Sequence, residues 1–319
     1  MAPTIMIETA STKVTDISNT RIDDTRIDDS TMKETDIGAI IDIEVVPALP
    51  AYVHLIEEEL NQEDPSPARI ATLMAQDVGL VTRVLRLANS TVYNRSTARV
   101  ATIGEAVQRI GIREVRGICM MVALAPMFAV SDPHLNLKML WKHSLAVALA
   151  TKVLYQYCPE DIQKQLSTEV LYVAGMLHDV GLIVLAQQAP DAFSEVRHLH
   201  SEGNKPFCDC ERTVLGFSHS DISFMILQRW NFPDLLTEVV QYHHEYDQAQ
   251  GKSALHARVI HVADSICNQH GNGDNFEGLT EPYESNAWND LGLDESQISL
   301  ITEDIERMMG SAEIYSLLS

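Results

Sequence analysis

Five separated stretches of this 319-residue sequence each set an imidazole or a carboxylate among apolar residues. His143 lies in LWKHSLAVALATKVLYQY, where at helical period it shares a face with Val147, Ala150 and Leu154. The run VLYVAGMLHDVGLIVLAQQ at 170–188 reads as one apolar helix carrying the pair His178-Asp179, followed by Gly181. His219 falls in the first turn of a helix opened by Ser218-x-x-Asp221, on the side of Ile222 and Ile226. His243, with His244 beside it, follows Leu236, Val239 and Val240 on an apolar face, and Asp264 is embedded in SALHARVIHVADSICNQ. Burying such groups is costly unless a metal ion, a hydrogen-bond partner or a helix terminus satisfies them.

Imidazole and carboxylate together suit divalent ions such as Mn, Fe, Zn or Mg, and a set this large could hold one metal or two bridged by Asp179. Water activated by such ions attacks phosphorus while their charge neutralises the phosphate. If the chain is an enzyme, Asp179 and His219 are the catalytic candidates. Taken singly, each group has a plainer reading. A histidine at a helix end, such as His219 or His244, more often caps a helix or lies on the surface. His143 alone would be an ordinary core histidine, and Asp264 alone a buried acid bonded to a helix terminus. A metal-free centre in which His178 and Asp179 bond each other and the backbone is the third alternative. His54, His134, His198, His200, His256, His261 and His270 are assigned structural or surface roles outright.

The elements that must position these groups are helical, with no period-2 strand pattern of any length. Residues 1–38 are polar, repeat TRIDD at 20–24 and 25–29, and lack the apolar mass for a core, so a disordered tail is expected. Ser66 with Pro67 opens a helix, Thr102-x-x-Glu105 opens another, and Gly111 suits its end. The expected units are an N-terminal helical part at 39–131, a helical bundle at 132–275 and closing helices at 276–319. GNGDNFEG at 271–278 reads as a loop.

A formal charge of −22 and a pI near 4.8 argue against a nucleic-acid or anionic-lipid binder. No uninterrupted apolar span of membrane length is expected, and no secretory leader is evident. The five cysteines are scattered, and Cys208-x-Cys210 is too close for an ordinary disulfide, which points to a reducing cytoplasm. No organic cofactor is expected.

His143, His178-Asp179 and Asp264 resemble the H…HD…D signature of the HD superfamily of metal-dependent phosphohydrolases, which implies that these four are metal ligands. His219 and His243-His244 resemble the extra histidines of its two-metal subgroup, including the cyclic-di-GMP phosphodiesterases of HD-GYP type. The GYP element is absent: EYDQAQGKS follows His244. The larger resemblance, over roughly 43–245 and on to about 270, is to the HDOD family, the HD-related output domain of bacterial signalling proteins. It is carried by VPALPAY at 46–52, AQDVGLVTRVLRLANSTVYN at 75–94, TIGEAVQRIGIREVRGI at 102–118, LWKHS at 140–144 and AGMLHDVGLIVL at 174–185. LGFSHSDISFMILQRWNFP at 215–233 and YHH at 242–244 complete it. Asp77-Val78 stands where the family usually shows Asp-Pro. The resemblance implies an all-α fold, an HD-like helical bundle with an additional N-terminal helical subdomain. It also implies a non-catalytic output or scaffold role with signalling proteins as partners. Members commonly lack part of the metal set, whereas this chain keeps a full one. The alternative is a metal-dependent phosphohydrolase acting on a nucleotide or other phosphoester.

Overall fold

Capping residues set where many of the helices begin. The computed structural model describes residues 33–60, 62–90, 93, 98–124, 135–203, 205–269 and 285–309. The first group of helices is α1 (Lys33–Ile40), α2 (Ala51–Leu60), α3 (Pro67–Met74), α4 (Val78–Asn89), α5 (Ile103–Ile110) and α6 (Ile112–Leu124). Ser66 caps α3 through the Arg69 amide with Pro67 in its first turn, and Asp77 caps α4 through Leu80. Thr102 and Glu105 close a reciprocal capping box on α5, and Gly111 ends that helix at φ 102°, which favours glycine. Most of the expected tail, with the TRIDD repeats, lies outside the described residues. Its last part, from Lys33, is helical, and Ile37 there is 2% exposed.

The second group is α7 (Leu137–Tyr157), α8 (Glu160–Gln163), α9 (Thr168–Leu177), α10 (Val180–Gln188), α11 (Pro190–Glu202), α12 (Phe207–Leu215), α13 (His219–Arg229), α14 (Asp234–Gln241) and α15 (Lys252–Gln269). α16 (Ser285–Asp290) and α17 (Ile298–Met309) follow. Among the described residues there is no strand, and the fold is all-α. The GNGDNFEG segment lies outside them.

α7 and α9 make the most extensive helix pair, with α15 against α7 and α13 against α10. Two glycines permit the closest approaches. A Cβ on Gly175 would meet Ala148 Cα of α7 at 2.7 Å, and one on Gly181 would run into the His219 carbonyl of α13. The first group is tied on by α6 against α9, where Arg116 pairs with both Glu57 of α2 (3.1 Å) and Glu169 of α9. The 41–47 segment is strapped to the bundle by Gln188 on both polar groups of the Asp42 backbone and by Trp230 Nε1 donating to Pro47 O.

Two sequence expectations need correction here. The apolar run at 170–188 is two helices, broken at His178-Asp179, where Asp179 takes φ −100° and ψ 12°. Thr168–Gln188, at 21 residues, is also long and apolar enough on average to cross a membrane, contrary to expectation. Helices surround it: 89% of its apolar window is buried, so its hydropathy reflects a core position.

Candidate metal centre

Seven side chains converge where these helices meet. His143 projects from the middle of α7 and Asp264 from the middle of α15. His178 and Asp179 sit at the break between α9 and α10, His219 is the first residue of α13, and His243-His244 follow the end of α14. Asp179 belongs to two groups whose donor atoms lie mutually within 4.8 Å, a triad with His143 and His178 and a group of four with His219, His243 and His244. His143 Nε2 is 2.9 Å from Asp264 Oδ1 and 3.2 Å from His178 Nε2. His178 Nε2 lies 3.1 Å from Asp179 Oδ2, while His219 and His243 direct Nε2 at Asp179 Oδ1 from 3.3 and 3.8 Å. His244 Nε2 is 3.1 Å from His219 Nε2. Every residue singled out for this centre is therefore brought to it.

The hydrogen-bond network decides which nitrogen faces inward. His178 Nδ1–H donates to Gly175 O (3.0 Å), His243 Nδ1–H to Val240 O (2.7 Å) and His219 Nδ1–H to Glu211 Oε2 (2.7 Å). When neutral, each ring thus turns its Nε2 lone pair toward Asp179. Buried lone pairs gathered round a carboxylate need a cation or protons between them. His243 Nε2 has no hydrogen-bond partner among the described residues. The donor set, imidazole Nε2 atoms oriented from behind plus two carboxylates, fits a divalent metal.

In the metal-free protein protons take part of that role. Burial opposes charge on His178, but the adjacent Asp179 carboxylate raises it above the usual histidine value. Burial likewise opposes charge on His219, yet Glu211 and then Asp179 hold it well above that value. Burial and the charges on His178 and His219 push His243 down to about 3, and burial with His243 beside it puts His244 well below the usual range. Asp179 and Asp264 resist burial because the neighbouring histidines hold both below the usual carboxylate range.

Sequence reading missed Glu211, which is 0% exposed and accepts from both the backbone amide and Nδ1 of His219. A signal existed: Glu211 sits four residues after Phe207 and four before Leu215, on the buried stripe of α12. Ser223 was missed too; its Oγ accepts from Gly181 N and donates to His178 O, pinning the helix break. The histidines set aside lie where expected. His54 is exposed, and His256 bonds the Lys252 carbonyl and the Ser167 amide. His261 Nδ1 donates to His243 O, supporting the turn behind the centre. His134 and His270 lie outside the described residues. All five cysteines are free and buried.

The model of the HDOD domain matches residues 46–246, most of the chain. The chain belongs to the HDOD family. A solved HDOD domain protein of unknown function from Geobacter sulfurreducens is 27% identical, with a TM-score of 0.69, over 86% of this chain and 96% of that one. A protein from Marinobacter aquaeolei VT8, assigned by name to signal transduction, shares the fold at a TM-score of 0.73 and 21% identity, over 89% of this HDOD chain and 64% of its own. Another from Shewanella amazonensis SB2B, assigned by name to metal-dependent phosphohydrolases, shares it at 0.53 and 21%, over 86% and 98%. An uncharacterised protein of Treponema pallidum (strain Nichols) is 26% identical over 211 residues. The match takes 65% of this chain but 39% of that relative, so the chain corresponds to well under half of the curated relative's length.

Proposed function

We propose that this HDOD protein is a bacterial cytoplasmic regulatory module, docking signalling proteins on its helical surface, whose His/Asp centre binds divalent metal at two adjacent positions sharing Asp179. The observation that carries this is the orientation of His178, His219 and His243, each turned by its own Nδ1 bond so that Nε2 meets Asp179. His143, His178 and Asp264 would hold one ion with Asp179, and His219, His243 and His244 the other. Five imidazoles favour Mn, Fe or Zn over Mg, which prefers oxygen ligands.

The non-catalytic part of this reading is supported by how recessed most of the donors are, with Asp179 8% and Asp264 7% exposed, His143, His178, His219 and His243 buried more deeply, and His244 alone partly exposed. The missing GYP element points the same way. Neither nucleic acid nor membrane is a partner in this reading, given the charge of −22.

One observation favours a second reading, a metal-dependent phosphohydrolase acting on a nucleotide or other phosphoester: potential donors gather on both sides of Asp179, His143 and His178 on one and His219, His243 and His244 on the other. When bound, divalent ions would supply the positive charge that a phosphoester requires. Glu211 would keep His219 oriented, and Asp179 and His219 would face the reacting group.

Elemental analysis of protein purified without chelator, followed by a phosphodiester assay with added Mn on the same sample, tests both readings. Bound metal without turnover is expected. Turnover that disappears in Asp179→Ala would establish the phosphohydrolase instead, and metal-free protein that takes up none on Mn addition would overturn the metal assignment.

A further inference from the structure

α7 lines the His/Asp centre with one face and a cavity with the opposite one. Lys152 follows His143 by nine residues, two and a half helical turns, so it points away from the His/Asp centre about 14 Å along the axis. On that far face α7 meets the end of α5 and the last turns of α17 around a cavity of about 470 Å³. Cavities of roughly 300–1,000 Å³ take small organic ligands.

The lining of this cavity inverts the charge of the chain. Overall, 45 acidic residues outweigh 23 basic ones. Arg109, Lys152 and Arg307 line the cavity from three different helices, with a single carboxylate, Asp304, among the lining residues. Lys152 is held by Glu114 at 2.7 Å from outside the lining, and Arg307 pairs with Asp304 at 2.7 Å. Arg109 makes no ion pair among the described residues; its Nη1 donates to Ala98 O (3.0 Å). A guanidinium with spare donors at a concave, partly apolar site suits a phosphoryl group, which it can grip with two parallel bonds. Ile110 and Val153 supply an apolar wall, and Tyr93, hydroxyl-bonded to Tyr172, supplies an aromatic one. Lys152 Nζ lies 6.0 Å from the centre of the Tyr93 ring, so cations and flat apolar surface adjoin in one cavity, which suits a ligand carrying both a phosphate and a ring.

We propose that the cavity between α5, α7 and α17 is a binding site for a small phosphorylated ligand of mononucleotide size, gripped by Arg109, Lys152 and Arg307 and separate from the His/Asp centre. It joins the N-terminal helices to the bundle through Arg109 and Lys152, so an occupant would bear on how those two parts sit together. This inference does not rest on the metal reading.

The test is calorimetric titration of the full chain with guanosine monophosphate, orthophosphate and guanosine, before and after chelator treatment. Guanosine monophosphate is expected to bind with a Kd below about 1 mM and to be insensitive to chelator. Arg109→Gln and Arg307→Gln are each expected to weaken it about tenfold to a hundredfold, the range for losing a charge-assisted hydrogen bond. The Arg307 side chain is 74% exposed, so that variant is expected to fold as the parent does. Several results would overturn the proposal: no binding of any probe, binding unchanged in both variants, or binding abolished by chelator. Orthophosphate binding as tightly as the nucleotide would overturn the size assignment. Variants that lower the melting temperature without a probe-dependent difference would show that the arginines merely offset the C-terminal dipoles of α5 and α17.

Discussion

The two halves of the His/Asp centre are built differently. His143 and Asp264 stand in the interiors of the two long helices α7 and α15, and Asn268 Nδ2 holds Asp264 Oδ1 at 3.0 Å from one turn further on. That half sets two imidazoles against two carboxylates, counting Asp179. The other half hangs on helix ends, with His219 opening α13 and His243-His244 closing α14, and it sets three imidazoles against the shared Asp179, with the buried Glu211 engaged behind His219 alone. Protons can satisfy the first half. In the second, His243 and His244 resist protonation because burial and each other's neighbours oppose it. A helix-end site rich in unprotonated imidazole therefore gains more from a cation than the balanced half does.

The sharpest way to break this comparison is Asp179→Ala, which removes the one oxygen donor common to both. Metal affinity is expected to fall in both halves by more than about a hundredfold, beyond the 10–100-fold typical of supporting residues. Equilibrium dialysis with elemental analysis reads it, and retention of full metal would show that Asp179 is not shared. Next in size, Asp264→Asn and His219→Ala should each remove one position, lowering stoichiometry from about two ions to about one. If either variant lost both ions together, the two halves would be a single site.

A third change sharpens the contrast between mid-helix and helix-end support. Glu211→Gln keeps an acceptor for His219 Nδ1–H but removes the charge, and is expected to weaken only the second position about tenfold. A change at the first position would contradict the division.

The smallest effect is in pH. His178 and His219 have raised values in the folded, metal-free protein, so their protons stabilise it fully below the ordinary histidine value of about 6.5 and stop doing so as pH rises through the raised values. Metal must displace those protons, so apparent affinity should rise with pH by about tenfold per unit for each proton released, starting below neutrality. His243, held at about 3, contributes nothing to that slope between pH 6 and 8. Competition with a chelating indicator at several pH values measures it; a flat profile would mean that the two histidines are already neutral.

The helices that carry the centre were legible because their starts and faces depend on neighbours in sequence. Ser66-Pro67, Thr102-x-x-Glu105 and Ser218-x-x-Asp221 are local chemistry, and each caps the helix it was expected to cap. The seven polar groups were legible because each sits on an apolar face where it is costly to bury alone. What could not be read is what neighbouring helices impose. The break at His178-Asp179 is invisible in a uniformly apolar run, since it depends on Ser223 of α13 bonding His178 O and Gly181 N. Glu211 was passed over because acids on a helix are usually solvated, and only the approach of His219 makes it interior. The membrane-length hydropathy of Thr168–Gln188 was underestimated because the polar pair at its centre interrupts the run without lowering its mean enough.

The contact of His143 with Asp264 at 2.9 Å joins residues on α7 and α15, far apart along the chain with seven intervening helices to place first. Contacts of such sequence separation form slowly, because loop closure must precede any gain from them. The centre consequently has no early precursor: a nascent or partly folded chain offers an ion at most isolated fragments such as His243-His244. Uptake of the ion should trail the appearance of helical signal during refolding, which makes occupancy a marker of completed assembly.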